Sequence, residues 1–266
     1  MGPRQWIALA VRESRGSAGR LLFFAACLSV GVAAVVAVAG LSQALDSGIQ
    51  ARARELLAAD LAVSSRRPVP EEVVAAIDAL EGARHTGVAE LPSVVSRPAS
   101  ASGDAAPGPS LLCEIKAVGT GYPFYGGVVT DPARPLQDLL GPDGVVVGPE
   151  LLVRLNLEVG NMLRVGSAEF TIRGTVTAEP DRLDIGFTLG PRVLMSFEGI
   201  ERTGLLGVGS RVGYRVLVRL PGAATPAQVR AAAEPIRAAV ADPEFIEVET
   251  YAEAQPALRR ALARVE

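Results

Sequence analysis

Residues that most catalytic and ligand sites require are scarce in this chain. Its 266 residues include one lysine, Lys116, one histidine, His85, and two cysteines, Cys27 and Cys113. A nucleotide-binding P-loop needs a Gly-Lys-Ser/Thr sequence, whereas Lys116 stands in Cys-Glu-Ile-Lys-Ala-Val. Zinc sites built from histidine and cysteine, and disulfide frameworks, need more of these residues. Since no Gly-x-Ser-x-Gly nucleophile elbow occurs either, we expect no enzyme and no cofactor or metal site in this chain.

An excess of positive charge is also absent. The chain has 26 Lys and Arg against 29 Asp and Glu, for a net charge of −3, so we expect no nucleic-acid partner. Hydrophobic residues, by contrast, make up 49 % of the chain, and the mean hydropathy is +0.30. A chain of this length and composition folds around a sizeable core.

One segment explains the high hydropathy. No charged residue occurs in residues 21–45, and residues 21–42 read LLFFAACLSVGVAAVVAVAGLS. As a helix they would extend about 33 Å, enough to cross the hydrocarbon core of a bilayer. Residues 21–42 are therefore predicted to form a transmembrane helix. The main alternative is a cleaved signal peptide with its small-x-small site at residues 37–39, but the apolar run is longer than the usual signal-peptide core.

The flanking charges predict the orientation of this helix. Four arginines and one glutamate lie in residues 1–20, whereas the charges that follow the apolar run balance. By the positive-inside rule, residues 1–20 are cytoplasmic and residues 43–266 lie outside the cytoplasm.

Sequence patterns in the rest of the chain predict an α+β domain. An apolar stripe continues the helix as a stalk over residues 43–59. Pro70 is predicted at the first position of a helix, and capping boxes over residues 225–228 and 250–253, led by Thr225 and Thr250, predict two further helix starts. Alternation of apolar and polar residues predicts strands near 60–65, 83–97, 111–118, 211–220 and 245–248. The resulting order predicts a core domain over residues 60–250 with a βαβ pattern, followed by a return stalk helix over residues 251–266.

Residues 122–206 differ from the rest of the domain in composition and in the length of the expected elements. Glycine and proline recur there, and the expected elements are short: a strand at 145–147, a helical turn at 150–155, and a hairpin that turns at Gly166-Ser167. We interpret this stretch as a small β-rich subdomain inserted into the βαβ part.

Two positions are candidate coupling joints. Strands 60–65 and 245–248 are predicted to be neighbours, which would bring both stalk helices out of the same face of the core. Ala59 and Thr250 stand where the stalks meet the core, and we expect both to lie outside it.

The segment Tyr122-Pro123-Phe124-Tyr125 holds three of the twelve aromatic residues in the chain. Tyr122, Phe124 and Tyr125 could form an apolar patch for a lipid-like substrate or partner. They could also fill the interface between the two subdomains, and this structural interpretation is favoured.

Other polar residues receive structural interpretations. His85 is expected in a surface loop, and Cys113 is expected to be packed within a strand. Asp181 and Asp184 fit a turn better than a cation site. Arg211, Tyr214 and Arg215 are expected to help join the subdomains.

Several segments resemble a known family. RESRGSAGRLLFFAACLSVGVAAVVAVAGL followed by LLAADLAVSS resembles the opening of FtsX-like ABC transporter permeases. EIKAVGTGYPFYGG, VVVGPELLVRLNLEVGN, EPDRLDIGFTLGPRVLMS and TGLLGVGSRVGYRVLV are similar to the periplasmic core of MacB-like permeases. The subgroup encoded beside an extracytoplasmic lysophospholipase/thioesterase is the most similar. Gly160-Asn161 departs from the frequent Gly-Asp of the family.

This resemblance implies a transport function. It implies the N-terminal fragment of a bacterial inner-membrane permease, which would continue into a second membrane helix after residue 266. ATP would be bound by a separate cytoplasmic ATPase subunit, and the substrate would be hydrophobic or lipid-like. Membrane lipid and an extracytoplasmic esterase or lysophospholipase are the further partners implied. The alternative is a single-pass, membrane-anchored binding or sensory domain that works alone.

Overall fold

The computed structural model describes residues 18–98, 109–181, 190–207 and 210–253. The chain divides into two compact units, residues 1–49 and 50–266. The basic segment 1–20 and the return stalk 251–266 lie mostly outside the described residues, which end at Glu253.

The described part of the first unit is helical. Helix α1 covers Ala18–Leu57 and so contains the apolar run 21–42. Large apolar side chains are exposed along it, among them Leu22, Phe23, Phe24 and Leu28. Within the described residues, none of the helices combines the length and apolarity needed to cross a membrane. The transmembrane span therefore stays a prediction.

In the second unit, ten strands of the described residues form one mixed sheet in the order β10-β1-β9-β2-β3-β8-β5-β7-β4, with β6 paired to β2 and β7. The strands are β1 (Leu61–Ser65), β2 (Arg84–Ser96), β3 (Ser110–Val118), β4 (Val129–Asp131), β5 (Gly144–Val147), β6 (Met162–Val165), β7 (Ala168–Ala178), β8 (Arg192–Ser196), β9 (Gly213–Arg219) and β10 (Ile246–Thr250). The predicted neighbours β1 and β10 pair antiparallel, with Val63 opposite Val248. The mixed α+β fold is thus confirmed.

Besides α1, the described residues contain five helices. They are α2 (Glu71–Asp78), α3 (Leu136–Leu139), α4 (Pro149–Leu155), α5 (Phe197–Arg202) and α6 (Pro226–Ala239). The predicted capping box at the start of α6 is present, because Thr225 and Gln228 each bond the other's backbone. Pro70 is the N-cap of α2, one residue before the first helical position predicted for it.

Two buried clusters of apolar side chains form the core. The first joins the end of α1 to β1, β9, α2 and α6, with Leu61, Ile77 and Ile236 among its members. The second joins β3, β5, β7 and β8 to α4 and α5, and includes Phe170. Because successive strand residues point to opposite faces, β3 serves both clusters: Val118 lies in the first and Ala117 in the second.

Residues 122–206 join the same sheet as the rest. Strand β8 pairs parallel with β3, and β5 then pairs antiparallel with β8. This region also contributes Leu139 and Leu194 to the cluster that contains β1. Three elements here are not expected from the sequence: β4 and α3 are too short for a periodic signal, and β8 has four consecutive buried residues and so no alternation. The limits of the subdomain stay a prediction.

Candidate coupling site

The end of α1 is fastened by residues that are distant in the sequence. The helix ends at Leu57, two residues before the expected end of the stalk, and Ala58 then adopts a left-handed conformation with φ of 57°. This conformation costs a residue with a Cβ roughly 1–2 kcal/mol, so tertiary contacts must stabilise it. Among them, the Phe124 amide donates to the Ala58 carbonyl at 3.1 Å.

Asp60 is the centre of the joint between α1 and β1. Its side chain is fully buried and accepts hydrogen bonds from Arg54 Nε at 3.0 Å, Tyr125 OH at 2.9 Å and the Leu220 amide at 2.9 Å. A buried carboxylate is stable only when it is paired and hydrogen-bonded in this way. Burial and the bond to Asp60 raise the pKa of Tyr125 to about 12, so this phenol stays a donor at neutral pH.

Arg54 also bonds residues that lie near the other end of the domain's sequence. Its guanidinium donates to Tyr251 OH at 3.1 Å and to the Ala224 carbonyl. The guanidinium also lies over the Tyr251 ring, 4.2 Å from its centroid, where a cation–π attraction adds to the hydrogen bond. The residues after β10 are thereby attached to the last turns of α1.

Both candidate joints lie inside the core, so the expectation that they lie outside it is wrong. Ala59 and Thr250 are each fully buried. The reason is that β1 and β10 pair along their whole length and the Tyr251 amide donates to the Asp60 carbonyl at 3.0 Å. Thr250 itself is capped by Glu253, which accepts from its amide at 3.1 Å and forms the second predicted capping box.

The three aromatic residues of the 122–125 segment contact different parts of the domain. Tyr122 is buried against the only lysine, Phe124 packs against the first core cluster, and Tyr125 bonds Asp60. The segment thus links the end of α1 to the middle of the sheet. Contact of this segment with a substrate stays a prediction.

A buried ion cluster surrounds Lys116, whose side chain is fully buried in β3. Its Nζ donates to both carboxylate oxygens of Asp181 at 2.8 Å, to Glu179 and to Tyr122 OH at 2.7 Å. Tyr122 OH in turn donates to Asp181 Oδ1 at 2.6 Å. Glu90, opposite Lys116 across β2 and β3, lies 3.3 Å from Nζ.

Two arginines complete this ion cluster. Arg192 donates to Glu179 at 3.0 Å and lies 3.1 Å from Glu114, its cross-strand neighbour on β3. Arg215 donates to Asp181 Oδ2 at 3.2 Å. Lys116, Arg192 and Arg215 thus face four carboxylates: Glu90, Glu114, Glu179 and Asp181.

The pKa directions show how the ion cluster is held together. Burial raises the pKa of Tyr122, and the charges of Asp181 and Glu179 raise it further, so the phenol stays protonated. Burial opposes the ionised form of Asp181, but Lys116, Tyr122 and Arg215 overcome it and hold the pKa of this carboxyl below its usual range. Burial would also lower the pKa of Arg192, but its carboxylate neighbours raise it. Asp181 and Arg192 are therefore held in their charged forms, and Tyr122 is held as a neutral donor.

The other residues noted in the sequence are dispersed. His85 is exposed, as expected, but lies in β2 rather than in a loop, with Nδ1 3.3 Å from Asp78. Cys113 is buried in β3, which confirms its packing role. Asp184 lies outside the described residues. Tyr214 packs against the second core cluster.

Comparison with known proteins identifies the fold and the family. Residues 21–236 match the family described as the MacB-like periplasmic core domain. The chain belongs to this family.

One curated protein and one solved structure are similar to this MacB-like chain. The chain is 33 % identical over 195 residues to an uncharacterized ABC transporter permease, YbbP, of Escherichia coli (strain K12). That match covers 73 % of the chain but 23 % of YbbP, so the chain spans less than a quarter of this relative. The periplasmic region of MacB from Actinobacillus actinomycetemcomitans has a similar fold, with a TM-score of 0.50, 11 % identity, and coverage of 75 % of this chain and 92 % of that one.

Sequence reasoning missed most of the polar residues that organise this MacB-like domain. Arg54, Asp60 and Lys116 carry the joint and the ion cluster, yet none of them was singled out as a site residue. One signal was available for Lys116: a lone lysine in an alternating strand, LLCEIKAV, of an arginine-rich chain. For Arg54 and Asp60 the partners lie up to 197 residues away, and no local pattern identifies them.

Proposed function

We propose that this chain is part of an ABC transporter permease in the bacterial inner membrane. In this proposal residues 1–20 are cytoplasmic, residues 21–42 cross the membrane, and the MacB-like domain works outside the cytoplasm. The similarity to YbbP supports the permease assignment. The uncharged run 21–42 and the exposed apolar side chains of α1 support the span.

The domain transmits motion rather than catalysing a reaction. ATP is hydrolysed by a separate cytoplasmic ATPase subunit, and α1 carries the resulting movement to the domain. The observation that carries this proposal is the joint at Asp60. Arg54 bonds the last turn of α1 to Asp60 and Tyr251. Because of these bonds, movement of the helix displaces the residues of the sheet to which it is attached.

The substrate in this proposal is hydrophobic or lipid-like. It follows from the resemblance to permeases encoded beside a lysophospholipase or thioesterase, which would then act on the extracted molecule outside the cytoplasm. Membrane lipid is the source of such a substrate.

Point variants at the joint test the transmission. In the complex of the full-length permease with its ATPase subunit, we expect Arg54→Met to lower substrate release per ATP hydrolysed, because α1 is no longer bonded to Asp60 and Tyr251. The matched control is Arg52→Met, on the same helix, since Arg52 is 70 % exposed and pairs with Glu55 alone among the described residues. Equal release per ATP in the two variants would contradict the proposal.

A reporter experiment tests the topology. A reporter that is active only outside the cytoplasm should be active when it is fused after Gly82, in the turn that follows α2. A cytoplasm-specific reporter at the same position should be silent, and its activity there would overturn the proposed orientation. The single-pass sensory alternative predicts the same topology but no substrate release with the ATPase subunit.

A further inference from the structure

Two polar assemblies lie close together in the domain but serve different elements. The joint at Asp60 holds the end of α1, and the ion cluster around Lys116 holds β3, β8 and the end of β7. The proposed function requires movement of α1 to reach the sheet. A side chain that contacts both assemblies would carry this movement from one to the other.

Arg215 contacts both of them. From β9, its Nη1 donates to Asp181 Oδ2 at 3.2 Å, and its Nη2 donates to the Leu57 carbonyl at 3.4 Å. Leu57 is the last residue of α1, and its carbonyl is one of those that a helix end leaves without an intrahelical partner. A cation at this end is also favoured by the helix dipole.

The geometry suits a guanidinium better than an ammonium. The planar fork of arginine offers donors that point in two directions at once, whereas the lysine ammonium is a compact point charge. The Arg215 side chain is about one-fifth exposed, and Asp181 is almost fully buried, so solvent screens this pair little. Displacement of Leu57 therefore pulls directly on Asp181, which Lys116 and Tyr122 also hold.

We propose that Arg215 is the positioning residue that couples the end of α1 to the buried ion cluster of β3 and β8. This inference rests on the proposed function, because it names the route by which the helix acts on the domain. Movement at the helix end opens the ion cluster through Arg215, and the edge strand β10 responds separately through Tyr251.

Amide hydrogen exchange tests this route without any transport measurement. The full chain, purified in detergent, is perturbed at the helix end by Arg54→Met, and exchange is followed in β3, which carries Lys116. With Arg215 present, we expect Arg54→Met to accelerate β3 exchange by about 2- to 25-fold, the range of typical coupling energies. With Arg215→Met or Arg215→Lys, the acceleration should fall below about 2-fold.

The lysine variant separates coupling from a purely electrostatic role. Arg215→Lys keeps the charge beside Asp181 and so preserves the ion cluster, but it loses the second donor arm to Leu57. If Arg215→Lys retains the full response of β3 to Arg54→Met, the charge alone suffices and the proposal is wrong. Arg164→Met is the matched control, because Arg164 is a strand arginine paired with Glu169 in the β6–β7 hairpin; it should leave the response unchanged.

The turn end of the β6–β7 hairpin, residues 162–171, also serves as an internal reference, because it lies at the other end of β7 from Glu179 and Asp181. If Arg54→Met accelerates exchange in the hairpin as much as in β3, the variant destabilises the whole domain, and selective coupling is refuted. No response of β3 in the parental chain would refute it as well. Failure of the transport assay with normal β3 coupling would instead count against the proposed function and leave the role of Arg215 intact.

Discussion

The guanidinium of Arg54 lies 4.2 Å from the ring centroid of Tyr251, although 197 residues separate the two along the chain. This contact brings together the residues that enter the MacB-like domain and those that leave its last strand. Both residues also bond the Ala224 carbonyl, so three chain segments meet at one point. The last turn of α1 is therefore bonded directly to the segment that follows β10.

Replacing Asp60 should destabilise the domain strongly. Asp60→Asn removes the negative charge that Arg54, Tyr125 and the Leu220 amide are arranged to meet, and leaves the Arg54 cation without its buried partner. Breaking a buried pair in this way costs about 3–5 kcal/mol. Urea unfolding followed by circular dichroism measures the loss, with Glu55→Gln as the control because Glu55 forms only an exposed pair with Arg52 among the described residues. Similar stability of the two variants would be evidence against a central role for Asp60.

Lys116 should be as important as Asp60 for stability. Lys116→Met removes the cation that Asp181 and Glu179 share, and among the described residues it leaves these buried carboxylates with Tyr122, Arg192 and Arg215 as partners. We expect a loss of about 3–5 kcal/mol in the free energy of unfolding. The control Arg164→Met breaks an exposed ion pair and should cost about 1 kcal/mol or less. A Lys116→Met chain as stable as this control would show that the ion cluster contributes nothing net.

Asp181 should make stability depend on acid pH. Its pKa is lower in the folded domain than in the unfolded chain, so the stabilisation is fully present above the unfolded value of about 3.9. It is lost as the pH falls through the folded pKa. Asp181→Asn should therefore be much less stable than the parent at pH 7, and this difference should shrink toward pH 3. Unfolding free energies measured across this interval test the sign, with the exposed Glu158→Gln as control; a difference that grows on acidification would contradict the pKa direction.

Cys113 should resist thiol reagents in the folded protein. Burial raises the pKa of its thiol to about 12, and only the thiolate reacts readily. In a Cys27→Ser chain at pH 8, we expect a maleimide to modify Cys113 only after the addition of urea. Rapid modification without urea would show that β3 opens far more often than its burial implies.

Local patterns in the sequence determined much of the secondary structure. The capping box at Thr225, the strand β9 and the turn at Gly166-Ser167 are each predicted from residues within a few positions, and each is present in the structure. The pairing of β1 with β10 also followed from the order of the elements, because a βαβ pattern leaves few ways to close the sheet.

Two elements could not be predicted in the same way. Strand β8 shows no alternation, because four of its five residues are buried, and α3 with four residues is too short to show a helical period. They form because β3 offers an open edge to β8 and because the core accepts Leu136 and Leu139. Their existence is a consequence of packing that the sequence does not display locally.

The sequence by itself determined the family, the α+β class and the apolar helix, because motifs, composition and periodicity are local properties of the chain. Only the tertiary structure decided which polar residues matter. Lys116 and Asp181 are 65 residues apart, and the partners of Asp60 come from three separate segments. A buried charge is stable only where the fold brings it opposite charges and donors, so the roles of Arg54, Asp60, Lys116 and Arg215 arise from the assembled sheet.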